Sequence, residues 1–326
     1  MAGTRREAEA FERKQKTQLA SKTYVAKSER RNFEQVAEMF IKERKARDRR
    51  PSTVVCYQTV LDCHLMPEEK NGSRGGFAPF MVDALSRQQI AEHFDAMRAA
   101  GKPTSTINRA LRTLKAILFF ALERELVERN VMQRFRPYEG GKAERHVNRG
   151  TFSETQVQAL IAAAKPMERA LISLLCFTGL RPGEAYALDW SAVDLGAGSL
   201  RVTRSWDHRG RKFVEPKTKA GVRVLPLSGP LVAELAAYEE RTSGKGLVFA
   251  TKKGQPVNPS NVRRDVWLPL KARAGVAGLD LYSLRHTFAS LARTADASAF
   301  NVSRFLGHSR SCGSSRVENR QRLDSR

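Results

Sequence analysis

Tyrosine runs out early in this 326-residue chain: six occur, and none follows Tyr282. Cysteine is sparse too. Cys56, Cys63, Cys176 and Cys312 are the whole complement. They make no pair of CxxC motifs and have no matching histidine spacing, which argues against a zinc site and for reduced thiols in a cytoplasm. No apolar run reaches the ~18 residues that a membrane span needs, and the polar, charged N-terminus is not a secretory signal. Walker and dinucleotide-binding glycine motifs are missing, as is any repeat of roughly 20–50 residues. The sequence therefore predicts no cofactor, no bound metal and no membrane partner. Negative charge is also in short supply, with 34 Asp and Glu against 57 Lys and Arg, a net charge of +23 and a pI near 10.4. Such an excess points to a polyanionic partner, nucleic acid first. Charge alone leaves open a ribosomal-type or merely soluble basic protein.

The length allows two cores. Residues 1–31 are rich in Lys, Arg, Glu and Gln and read as a solvated basic arm. Order is expected from Asn32, which forms a capping box with Gln35 ahead of the apolar positions Phe33, Val36, Phe40 and Ile41. Arg49-Arg50-Pro51-Ser52 breaks the chain before a second helix with the stripe Val54, Tyr57, Leu61, Leu65. Helices follow at Ser86–Ala99 and from Thr104 to about Leu126, the latter burying Ile107, Leu111, Leu114 and Leu118. On that last helix Arg109, Arg112 and Lys115 recur every three residues away from the apolar stripe. They are candidate phosphate contacts, against the alternative of an ordinary solvated face. Residues 137–152 have linker composition. A second capping box, Ser153 to Gln156, opens the following domain. Its strands are expected at Leu200–Trp206 and Val222–Leu227, with Phe213-Val214 between them.

The chemistry-bearing residues lie in this second half. Arg181 sits in the turn Thr178-Gly179-Leu180-Arg181-Pro182-Gly183-Glu184, after the apolar helix Ala170–Phe177. Arginine suits phosphate because its planar fork donates two parallel hydrogen bonds and keeps its charge. Glu184, three residues on, is placed to orient it. Alone, the hexapeptide fits a helix end with a surface arginine equally well. In Asp280–Ala292, Leu281, Leu284, Phe288 and Leu291 make a core stripe, and Tyr282 and Arg285 project together beside it. An arginine at the edge of a buried face needs an anionic or hydrogen-bonding partner. His286 is expected to pack as a hydrogen-bonded core histidine. Leu306-Gly307-His308 follows a short helix, Phe300–Leu306.

Taken in order, these three boxes resemble the catalytic signature of the tyrosine recombinases, the bacteriophage integrase family, and Ser105–Leu111 resembles part of that family's core-binding domain. The resemblance spans roughly residues 32–308. It implies a mainly α fold with a small β-sheet. A four-helix, SAM-like core-binding domain at 32–136 would be joined by 137–152 to a mixed α+β catalytic domain at 153–308. The implied activity is cleavage and rejoining of double-stranded DNA through a 3′-phosphotyrosine, without metal or ATP. Arg181, Arg285, Tyr282 and His308 would hold the phosphate, with tyrosine at 282 replacing the family's first histidine. Lys217, with Lys219 as rival, would protonate the leaving 5′-oxygen.

The family's nucleophile is expected about nine residues after His308, where this chain has Val317. Residues 309–326 carry no apolar stripe and are expected to be disordered. We read them as a frameshifted or truncated tail that impairs catalysis, and expect a homo-oligomer on DNA only with an intact tail. Two alternatives stand: a non-catalytic protein that occupies recombination sites, and a type IB topoisomerase-like enzyme. Either way the expected location is the bacterial cytoplasm, with the nucleoid.

Overall fold

The computed structural model describes residue 13 and residues 30–47, 50–69, 72–139, 150–216, 219–294 and 298–307. Most of the expected arm, most of the linker and all of the 309–326 tail lie outside these residues. The chain divides into two compact units, Met1–Val147 and Asn148–Arg326. It is mainly helical with a small sheet, as the resemblance implied.

Among the described residues, the first unit has four α-helices: α1 (Phe33–Ala46), α2 (Pro51–Val60), α3 (Arg87–Ala99) and α4 (Thr104–Glu123). Local chemistry fixes where two of them start. Asn32 accepts from the Gln35 amide and Gln35 returns a bond to the Asn32 amide; Ser86 and Gln89 do the same for α3. These boxes satisfy amide donors that the first helical turn leaves unpaired. At the second helix Arg50 occupies the cap position without a side-chain capping bond, and Pro51 supplies the preset backbone angle. That helix runs on as a π-turn over Leu61–Leu65. The wide turn keeps both Leu61 and Leu65 buried.

The longest helix, α4, buries Ile107, Ala110, Leu111, Thr113, Leu114, Ile117, Leu118, Phe120 and Ala121, so it is the central element of this unit. Phe120 meets Phe40 edge-on at 5.7 Å between ring centroids, and Phe40 meets Tyr57 at 5.1 Å. Arg109 and Arg112 lie on the exposed face of α4, and Lys115 is half-buried. The Lys115 ammonium donates to the Gln133 carbonyl at 3.4 Å.

In the second unit α5 (Glu154–Ala163) begins at the Ser153/Gln156 box, and α6 (Pro166–Thr178) follows. α6 buries Ala170 through Cys176 without a break. Such all-round burial belongs to a central helix, not to an amphipathic surface one. After α7 (Pro182–Ala185) come strands β1 (Val193–Asp194), β2 (Ser199–Val202), β3 (Ser205–Asp207), β4 (Lys212–Val214) and β5 (Arg223–Pro226).

The strands form an antiparallel sheet of order β1-β2-β5 and a separate β3-β4 hairpin. The expected single strand 200–206 is thus two strands. It breaks at Thr203-Arg204, because Ser199–Val202 pairs with β5 while Ser205–Asp207 pairs with β4. Next come α8 (Gly229–Thr242), a π-turn at Val262–Trp267 leading into α9 (Leu268–Arg273), α10 (Ser283–Thr294) and α11 (Ala299–Leu306). The expected helix 280–292 therefore starts at Ser283, after a turn in which the Tyr282 amide donates to the Asp280 carboxylate at 2.9 Å.

Candidate phosphate-binding site

The second unit gathers its buried charge around the end of α6. That helix stops at Gly179, whose φ of +64° is left-handed, the conformation glycine adopts at a helix C-terminus without steric cost. Close packing adds to the need for glycine. A Cβ there would sit 2.5 Å from Phe288 Cδ1 and 2.9 Å from Leu306 Cδ2, which places the turn against α10 and α11. Two residues on, Arg181 caps α7: its backbone amide donates to Glu184 Oε2 at 2.9 Å and its Nη1 to Oε1 at 2.8 Å. The orienting role expected of Glu184 is therefore made by two bonds.

Arg285 is only 4% exposed. Its Nη1 donates to the Gly179 carbonyl, and its Nη2 to the Leu306 carbonyl at 2.6 Å. One guanidinium thus ties α10 to the end of α6 and to the end of α11. Burial, then the like charge of Arg181, pull the Arg285 pKa down to about 10, while Glu184 and Tyr282 pull the other way. Arg285 stays protonated at neutral pH, as two close cations beside one carboxylate.

Tyr282 is 43% exposed and stands edge-on to His286, with ring centroids 5.4 Å apart. Arg285 and Tyr282 do not project together beside the core stripe as their spacing suggested. Arg285 turns inward with Ser283, Leu284 and Thr287, while Tyr282, ahead of the helix, faces out. His286 is half-buried against Tyr282, not a core residue. Lys217, His308 and Val317 lie outside the described residues, as does the side chain of Lys219, whose backbone opens a 3-10 turn at Lys219–Gly221.

Arg223 went unrecognised in the sequence. Its side chain is 7% exposed and pairs with Glu184, Nη2 to Oε2 at 2.9 Å and Nη1 to Oε1 at 3.3 Å. Nε donates to the Phe305 carbonyl at 2.6 Å. A signal was present in the strand's alternation. Val224 is 57% exposed and Leu225 is buried, so Arg223 shares the inward face with Leu225, where a charge needs a partner.

Burial alone would raise the Glu184 pKa, but the hydrogen bond and charge of Arg223, then the amide and charge of Arg181, outweigh it and hold the carboxyl below its ordinary value of 4.5. A depressed carboxylate pKa contributes stability that is present above the unfolded-state pKa and lost as pH falls through the folded-state value. Urea midpoints of the unaltered chain should therefore fall as pH drops below about 4.5. Glu184→Gln should be less stable at neutral pH and should lose that component of the acid sensitivity. An identical pH profile in the variant would show that Glu184 is not charged in the folded state.

Comparisons place this geometry among known proteins. The profile described as "Phage integrase family" matches residues 151–313. The chain is 27% identical to "Tyrosine recombinase XerC-like" of Caldanaerobacter subterraneus over 289 residues, covering 80% of this chain and 72% of that protein. It is 26% identical to "Prophage integrase IntR" of Escherichia coli K12, covering 64% of this chain and 55% of that protein. Among solved structures, the integrase of transposon Tn1549, in complex with transposon right-end DNA, superposes with a TM-score of 0.68 at 17% identity. That match covers 89% of this chain and 98% of the other. A lambda integrase dimer bound to a COC′ core site gives 0.65 at 17% identity, covering 86% and 97%.

Proposed function

Because the chain belongs to the phage integrase family, we propose that it binds duplex DNA as a site-specific tyrosine recombinase whose strand-cleaving step is disabled within these 326 residues. One observation carries the reading. Two guanidiniums meet at one turn: Arg285 donates to the Gly179 carbonyl, and Arg181 stands two residues on with its side chain partly open to solvent. Two cations at one place call for an anion, and a phosphodiester takes hydrogen bonds from both. Tyr282 and His308 would add donors, and Lys217 (or Lys219) would be the proton source.

In the family's reaction a tyrosine oxygen forms a bond to phosphorus as the bond to the 5′-oxygen breaks, and that oxygen leaves with a proton. The arginines stabilise the charge that develops on the non-bridging oxygens. The residues of this chain that match the family's boxes would supply those parts, and the attacking oxygen is the part with no match. No tyrosine follows Tyr282, which favours a second reading: a protein that occupies recombination sites without cutting them. Residues 32–136 would act as the core-binding domain, with Arg109 and Arg112 on phosphates. Lys115, spoken for by Gln133, would contribute less. The integrase neighbours include a lambda tetramer on a Holliday junction, and we extend assembly on DNA to this chain, in a bacterial cytoplasm.

The reading predicts steep salt dependence. Each phosphate neutralised should add about −0.9 to the slope of log K against log salt. Arg109→Ala with Arg112→Ala should flatten that slope by nearly 2 in all, alike on cognate and random duplexes. Fluorescence anisotropy across a salt series measures it. An affinity unmoved by salt would remove the DNA-binding proposal.

A further inference from the structure

We infer that Arg223 is a positioning residue that keeps the fork of Arg181 free for phosphate, an inference that rests on reading Arg181 as a phosphate contact. A guanidinium has five N–H donors. Arg223 commits four of them internally: two to Glu184, one from Nε to the Phe305 carbonyl, and one to the Gly221 carbonyl at 3.1 Å. With four of its five donors committed, its own contact with a ligand is not its purpose.

Its effect falls on Glu184. That carboxylate is 5% exposed and must be neutralised where it lies. By pairing with both Glu184 oxygens, Arg223 supplies most of that neutralisation. Arg181 then needs to give Glu184 only its Nη1, and its side chain remains 37% exposed. With Arg223 gone, Glu184 would be a buried carboxylate with Arg181 as its remaining cationic partner among the described residues. The attraction would draw the whole Arg181 fork inward, away from solvent and phosphate.

The same side chain also sets the far wall of the site. A Cβ on Gly307 would lie 3.0 Å from Arg223 Nη1 and 3.1 Å from the Ala220 carbonyl. The backbone entering His308 is therefore packed on Arg223, and the Nε bond to Phe305 fixes the end of α11. Arg223 holds the Arg181 turn, the segment after Lys219 and the chain leading to His308 in one arrangement.

The test is a four-chain cycle: the unaltered protein, Arg181→Ala, Arg223→Lys and the double variant, each titrated with a fluorescent random-sequence DNA duplex at fixed low salt. Lysine keeps the charge of Arg223 but cannot make its fork of parallel bonds. Arg181→Ala should weaken binding about tenfold in the unaltered background. In the Arg223→Lys background the same change should cost roughly twofold or less, because partners in one network are not additive. Arg223→Lys alone should already lose most of the tenfold. A merely structural Arg223 would lower the melting temperature yet leave the Arg181 effect whole, and equal losses in both backgrounds would overturn the inference. No loss from Arg181→Ala in the unaltered protein would instead remove the phosphate reading, and this inference with it. Should Arg223→Lys fail to fold, Arg223→Gln replaces it in the cycle, and it should likewise shrink the Arg181 effect. Adding Glu184→Gln to the Arg223 variant removes the carboxylate that would draw the Arg181 fork inward, so the Arg181 effect should return; an undiminished effect in the Arg223 variant, or no return on adding Glu184→Gln, would count against the inference.

Discussion

Gly179→Ala should be the most damaging single-methyl change in the second unit. Two costs add. A left-handed backbone strains any residue with a Cβ by roughly 1–2 kcal/mol, and Gly179 has φ +64°. The added carbon would also meet Phe288 at 2.5 Å and Leu306 at 2.9 Å, and overpacking of this kind costs about 1–3 kcal/mol. The expected loss is about 2–5 kcal/mol, read as a lower urea midpoint with an unchanged m-value. The Gly179 carbonyl accepts from Arg285, so DNA affinity should fall in whatever fraction remains folded. A midpoint equal to that of the unaltered chain would mean that the α6 end does not pack against α10 and α11 in this way.

Incubated with nicked duplex DNA, the unaltered chain should leave no covalent protein–DNA adduct on a denaturing gel. An attacking phenol has to stand in line with the phosphate, where positioning supplies a large part of the rate. Among the described residues of the second unit, no tyrosine meets that need. Tyr186 and Tyr238 are buried with their pKa values pushed up by loss of solvent. Tyr57 and Tyr138 belong to the first unit, where the Tyr138 hydroxyl donates to Asp95 at 3.1 Å, and Tyr24 lies outside the described residues. Tyr282 immediately precedes the helix that carries Arg285, which suits it to donate to a phosphate oxygen. Mass spectrometry that found DNA on Tyr282, or on any serine, would refute this assignment.

How much of this could be read from the chain depends on the range of the interactions. The capping boxes read at Asn32 and Ser153 are local and formed where the residues placed them, and Ser86 with Gln89 adds a third of the same kind. The Arg181–Glu184 pair, three residues apart, was legible for the same reason. Arg285 was expected at the edge of a helix stripe and lies buried instead, because the Gly179 and Leu306 carbonyls it serves are 106 and 21 residues away. Periodicity within one helix carries no information about such partners. Alternation with Leu225 puts the charge of Arg223 on the inward face, but its partner Glu184 is 39 residues away and no motif within the strand names it. The break at Thr203-Arg204 depended on two different pairing partners, which no propensity within that run encodes.

We propose that this chain grips a phosphate through Arg181 and Arg285 and lacks the oxygen that attacks. The direct measurement grafts the tail of an active phage integrase, tyrosine included, in place of residues 309–326. The grafted and unaltered proteins are then compared on nicked recombination-site DNA by denaturing gel. The account predicts an adduct with the graft, its loss when Arg181 or Arg285 is also changed to alanine, and none with the unaltered chain. An adduct formed by the unaltered chain, or one in the graft that survives both arginine changes, would contradict it.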